Sequence, residues 1–234
     1  QSPFDPETVL NYEAGFKYSG FIGDVHATLN VAAYHSKYDN IQQNIIFAVP
    51  PPIGGISSSV INAAKGRVNG IEIELSVRPV QSLTLSGFYS LTDAKYTRFV
   101  QATSTGGTQD LSANKFAGVP RNTGGAALEW EMLEADGVGN LQLNVNFRYS
   151  GSYQLDPIFQ TAGSVVRSYS LWNASLRLEN LLGSKASAEV YVKNIADKIY
   201  SSGGFSTYGL GFASRSLGDP RVIGLGFRVP FGGK

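Results

Sequence analysis

The chain has 234 residues, a formal charge of +1 and no cysteine, which excludes a disulfide framework and thiolate metal sites. Charged residues make up 16% of it, below the roughly 25% usual in soluble domains, and its Lys and Arg are scattered, so nucleic acid is not an expected partner. Gly (27 residues) and aromatics (12%) are plentiful, and no run of about 18 apolar residues offers a transmembrane helix.

The first residue is Gln1, with neither an initiating Met nor a signal peptide, as expected of a mature protein or a piece cut from a longer one. Two-residue alternation predicts strands at about 11–19, 24–47, 62–79, 82–98, 121–133, 140–153, 167–180, 185–199 and 219–231, and no segment shows the helical period. The connections alternate in length. "GFIGD" is short and "AVPPPIGGISSSV" long; "VQS" is short and "VQATSTGGTQDLSANKFAGV" long. The second half repeats this with "EADGVG", "QLDPIFQTAGSVV", "LLGSK" and "SSGGFSTYGLGFASRSLG".

The hairpin from Gly66 to Thr97 carries the ambiguity of the whole sequence. Ile71, Ile73, Leu75 and Val77 share one face, and Glu72, Glu74, Ser76 and Arg78 share the other. Leu83, Leu85, Tyr89 and Leu91 continue the apolar face, with Phe88 an exception on the polar side. A soluble sandwich turns such an apolar face inward, and a membrane barrel turns it outward to lipid. Long loops gathered at one end favour the barrel, because outer-membrane barrels have short periplasmic turns and longer extracellular loops. Strand length agrees, since about 9–11 tilted residues cross the hydrocarbon. Tyr12, Tyr18, Tyr38, Tyr149, Trp172 and Tyr200 stand near strand ends and are candidates for interfacial girdles.

Five phrases carry a family resemblance. "PETVLNYEAGFK" (Pro6 to Lys17), "NAAKGRVNGIEIEL" (Asn62 to Leu75), "LTLSGFYSLTDAKYT" (Leu83 to Thr97), "VYVKNIADKIY" (Val190 to Tyr200) and "GDPRVIGLGFRVPF" (Gly218 to Phe231) resemble, in this order, the C-terminal half of TonB-dependent outer-membrane receptors. The resemblance implies an all-β, antiparallel up-and-down transmembrane barrel, of which residues 1–234 hold about nine strands, with the plug domain absent. It also implies active import of a scarce ligand such as a ferric siderophore, with energy from TonB delivered through an N-terminal region. Outer-membrane lipid and the barrel-assembly machinery are the other implied partners. Members of this family commonly end on an aromatic residue, whereas here Phe231 is followed by Gly232, Gly233 and Lys234. A passive pore and a soluble sandwich binding module are the alternatives.

Nothing in the sequence points to catalysis. His26 and His35 are nine residues apart in one strand, hence on opposite faces, so a shared metal site is not expected. Glu72 and Glu74, with Arg78 and Glu13, are read as facing the lumen or plug, where charge is solvated or paired. There is no G-x-S-x-G elbow, and the two "GLGF" segments lack a dinucleotide-binding context. The candidate ligand surface is the last long loop, where Tyr200, Phe205, Tyr208, Phe212 and Arg215 join aromatic rings to a cation on a Gly-rich segment. A phenolate or carboxylate ligand would stack on the rings and pair with Arg215.

Overall fold

The structure, a computed structural model, describes residues 4–48, 52–102, 107–207 and 212–230. Phe231 and the residues after it therefore lie outside the described residues. The strands are β1 (Thr8–Ile22), β2 (Val25–Ala48), β3 (Ile56–Val80), β4 (Leu83–Ala102), β5 (Thr108–Asp110), β6 (Asn122–Ala135) and β7 (Gly139–Ser150). They continue as β8 (Tyr153–Gln154), β9 (Val165–Val166), β10 (Tyr169–Glu179), β11 (Ser187–Lys193), β12 (Ser201–Thr207), β13 (Phe212–Leu217) and β14 (Val222–Arg228). Two single 3-10 turns, Ala162–Ser164 and Leu181–Gly183, are the only helical elements among the described residues.

Ten strands make one sheet, nine of them in the order β1-β2-β3-β4-β6-β7-β10-β11-β14 with β5 beside β4, and among the described residues β1 and β14 each have a partner on one side only. Every pairing is antiparallel between strands that are neighbours in this order. The nine expected strands are these nine. Three features of the long connections were not expected. β3 begins at Ile56, ahead of its expected start near residue 62, and so stays paired to the end of β2; β5 pairs with the end of β4, and β12 and β13 form a hairpin in the last loop.

Register shows why alternation was so regular. Phe16, Val31, Ile73, Tyr89, Gly124 and Tyr149 face one another in a row across six strands. The next row is Tyr18, Leu29, Leu75, Gly87, Ala126, Phe147 and Trp172. At the far edge Leu176, Val190 and Leu225 continue the same face. Among the described residues no second layer covers it: Ile71, Ile73 and Leu75 are 42, 37 and 45% exposed, and Ile223, Leu225 and Phe227 on the edge strand exceed 70%. A sandwich buries this surface against another sheet, so the sandwich alternative is set aside.

The opposite face is polar and bonded across strands. Asn173 donates to Asn146 (2.7 Å), Asn30 to Glu74 (3.2 Å) and Arg177 to Glu189 (3.2 Å), each pair directly opposite in register. Phe88, the exception in the alternation, lies over Gly125, where a β-carbon would collide with its ring. The aromatic fills the gap that a strand glycine leaves, and the glycine makes room for the aromatic.

The phrase "VKNIADKIY" ends a strand instead of extending it. Asn194 adopts φ 50°, which closes β11 at Lys193 rather than near residue 199. Its side-chain amide donates to the carbonyls of Lys198 (2.9 Å) and Asp219 (3.0 Å), and its side-chain oxygen accepts from the Lys198 amide (2.8 Å). Its own N–H donates to the Asn173 side chain (2.8 Å), and Asp197 accepts from the Arg221 amide (2.9 Å). One 4%-exposed asparagine thus ties the turn to the strands on both sides.

Candidate functional site at the long-loop end

β4 runs on to Ala102, well past its ladder with β6, which leaves its edge without a β6 partner beyond Thr92. The connection after β4 folds back to fill that edge, with Lys115 opposite Lys95 and β5 opposite Val100 to Ala102. The polar face at this end then carries an apolar cluster of its own. Phe99 (0% exposed), Ile41, Ala64, Tyr96 and Leu111 are buried together, and Tyr38, Phe116 and Ile158 pack on them. Phe116 stacks on Tyr96 with ring centroids 4.1 Å apart. Loop residues 111–116 and 158 are therefore held down by burial as well as by backbone pairing.

The two central loops clasp each other. Asn114 donates to the carbonyls of Pro157 (2.8 Å) and Ile158 (3.0 Å), while Gln160 and the Lys115 backbone exchange two bonds (3.0 and 2.6 Å). Asp156 caps the turn by accepting from the Ile158 and Phe159 amides. Between these loops and the sheet is a cavity lined by Thr92, Tyr96, Lys115, Arg121, Tyr153 and Ser168 among others. Burial, and the Tyr169 phenol beside it, hold Tyr153 above the usual tyrosine range. The Arg121 guanidinium has no hydrogen-bond or ion-pair partner among the described residues and is exposed. Neither residue was singled out in the sequence, because a lone Arg and Tyr in loops show no pattern until the loops fold.

The five predicted ligand residues are not gathered at one point. Tyr200 packs on Tyr169 (centroids 4.6 Å) and over Gly218, beside the cavity. Phe205 and Phe212 meet edge to face (6.2 Å) on one side of the β12–β13 hairpin, each about half exposed. Arg215 stands on the other side of that hairpin and donates to the carbonyls of Ala162 (3.3 Å) and Gly163 (3.1 Å). Tyr208 lies outside the described residues. Among the girdle candidates, Tyr12, Tyr18, Tyr149 and Trp172 are on the apolar face, whereas Tyr38 and Tyr200 point to the polar side with the loop clusters.

Glu72, Glu74 and Arg78 lie on the polar face, with Glu74 bonded to Asn30 and Arg78 donating to the Gln81 carbonyl (2.9 Å) at the short turn. His26 shares that face, while His35 is on the other and bonds Asn69 (2.6 Å). No group of three metal-ligating side chains occurs among the described residues.

Comparison with known proteins fits this architecture. Residues 1–195 match the family described as TonB dependent receptor-like, beta-barrel. The ferric-pyoverdine 358 receptor of Pseudomonas putida is 31% identical over 98% of the chain, and the ferrichrome outer membrane transporter/phage receptor of Escherichia coli is 28% identical over 88%. The chain spans about a quarter of the length of each. The crystal structure of the ferric yersiniabactin uptake receptor of Yersinia pestis superposes with a TM-score of 0.75 at 20% identity, over 99% of this chain and 31% of that one. The sheet, apolar on one face and polar on the other, is accordingly part of an outer-membrane barrel, and the chain belongs to the TonB-dependent receptor β-barrel family.

Proposed function

We propose that this chain is the C-terminal part of the barrel of a receptor that imports a scarce, anionic ligand of the ferric siderophore class, with energy from TonB. The plug and the TonB-contacting segment belong, in this reading, to the N-terminal part of the parent protein. The observation that carries the ligand reading is Arg121, a guanidinium without a partner among the described residues in the loop cavity that Tyr96 and Tyr153 also line, with Tyr169 and Tyr200 next to them. Anionic oxygen donors around a ferric ion pair with a guanidinium and stack or hydrogen-bond with phenols. The exposed Phe205–Phe212 pair, with Tyr208 between them in sequence, offers a second aromatic surface on the last loop, and Arg215 holds the hairpin against its neighbour loop.

The test is uptake of radiolabelled ferric siderophores by cells carrying the full-length receptor, with and without TonB. Uptake that needs TonB and falls about tenfold or more in Arg121→Gln is expected, the loss corresponding to one charge-assisted bond. Uptake that persists without TonB assigns the barrel to passive diffusion instead.

A further inference from the structure

The outward face changes character above Ile71 and Leu91. One step up, the row Tyr12, His35, Asn69 and Asp93 is polar. The next row brings Lys37, Arg67, Lys95 and Lys115 directly opposite one another on four adjacent backbone segments. Lys65 and Arg98, also paired in register, follow on the same face. All six are exposed.

Like charges directly opposite each other destabilise a sheet, so such a row calls for an anion. The chain's own acids do not supply enough. Asp93 pairs with Lys95 (2.9 Å) and Asp39 with Lys65 (2.6 Å), while Lys37, Arg67 and Lys115 have no carboxylate partner among the described residues. The height of the row identifies the anion. Lys37, Arg67 and Lys95 are each four residues beyond the last apolar outward residue of their own strand, Ala33, Ile71 and Leu91. With a strand rise of about 3.4 Å and a tilt near 45°, that is about 10 Å above the hydrocarbon edge, within reach of the headgroups for side chains of this length. A shallow groove lined by His35, Lys37, Asp39, Lys65 and Arg67 opens there, beside the register shift that follows Tyr38.

We infer that the row Lys37, Arg67, Lys95 and Lys115 is a binding site on the outer wall of the barrel for the phosphate groups of an outer-leaflet lipid. A phosphate can bridge cations on neighbouring strands, whose backbones lie about 4.8 Å apart, and Arg67 engages it through its planar fork. The site rests on the outer-membrane placement of the apolar band and not on TonB; Lys95 and Lys115 stand where this row meets the loop cavity, whereas Lys37 and Arg67 do not line it.

The experiment uses the full-length receptor in a zwitterionic detergent, mixed with bisphosphorylated lipid A, its monophosphorylated form or inorganic phosphate, and counts retained lipid by native mass spectrometry. Retention of lipid A that is stronger for two phosphates than for one, and that weakens with salt, is expected. Lys37→Gln/Arg67→Gln/Lys95→Gln lowers its affinity on the order of a hundredfold, at about a factor of five per basic residue. Asp93→Asn frees Lys95 and raises retention, a gain that misfolding does not mimic. Unchanged retention in the triple variant, with normal heat-modifiable mobility, overturns the site. Displacement of lipid A by inorganic phosphate at equal phosphate concentration overturns the lipid assignment. Loss of siderophore uptake with lipid retention intact counts only against the proposed function.

Discussion

Tyr34 lies across Gly70 on the lumenal face, and its hydroxyl reaches the Thr92 hydroxyl on the next strand (3.4 Å). A β-carbon at Gly70 would fall inside the ring. The same relation holds for Phe88 over Gly125 and Tyr191 over Gly224, each pair directly opposite in register. Aromatics of the lumenal wall lie flat because glycines beside them allow it, which keeps the wall thin toward the lumen.

Gly70→Val is expected to lift the Tyr34 ring into the lumen and to cost about 1–3 kcal/mol through overpacking. Removing the ring as well, in Tyr34→Ala/Gly70→Val, is expected to recover part of that cost. Thermal loss of heat-modifiable mobility in the full-length barrel gives the double-mutant cycle. Strict additivity of the two changes would show that ring and glycine are not coupled.

Asn194 gives a sharper test because geometry and bonding separate there. Asn194→Ala takes the side-chain partner from the Lys198 and Asp219 carbonyls and the Lys198 amide, for about 1–3 kcal/mol, and adds about 1 kcal/mol for a left-handed alanine. Asn194→Gly removes the bonds but tolerates φ 50°, so it should fall between alanine and the parent protein. Unfolding midpoints in detergent that rank glycine below alanine would contradict this account.

Acid should loosen the β4–β5 corner. Asp110 accepts bonds from the Ser112 side chain and from its amide (2.9 Å), which hold the carboxyl below the ordinary value near 3.8. A depressed folded pKa means that the contribution is present above the unfolded pKa and is lost as pH falls through the folded one. Amide exchange at Ser112 is expected to speed up below the normal carboxylate range, relative to the intrinsic rate. Asp110→Asn should abolish that pH dependence; if the dependence persists, another group is responsible.

The nine sheet strands were legible because each alternates over at least seven residues, and one slipped residue would exchange lipid-facing and lumenal side chains. The face of Glu72 and Glu74 was legible for the same reason. Strand ends were not. Asn194 stops β11 through its backbone angle and three side-chain bonds, and nothing in the alternation of "VYVKN" announces this. The loop site was the least legible part. Arg121, Tyr153 and Tyr169 come from three segments brought together only by loop folding, while Arg215, chosen for its charge, is occupied by the Ala162 and Gly163 carbonyls. The cationic row escaped notice for a related reason, since Lys37, Arg67, Lys95 and Lys115 are scattered in sequence and adjacent only in register.

Phe99 tests whether the loops form a unit separate from the wall. It is fully buried at the centre of a cluster that takes Ile41 from β2, Ala64 from β3, Leu111 from the following loop and Ile158 from the next one. Phe99→Ala is expected to cost about 3–5 kcal/mol where the cavity cannot collapse. The strands below keep their own ladders, so the loss should appear as local opening and not as unfolding of the barrel. Limited trypsin digestion of the full-length receptor should then cut after Lys115 at a rate raised by orders of magnitude, while heat-modifiable mobility is retained. If the variant barrel melts as a whole at the rate at which the loops open, loops and wall form one cooperative unit and the separation argued here fails.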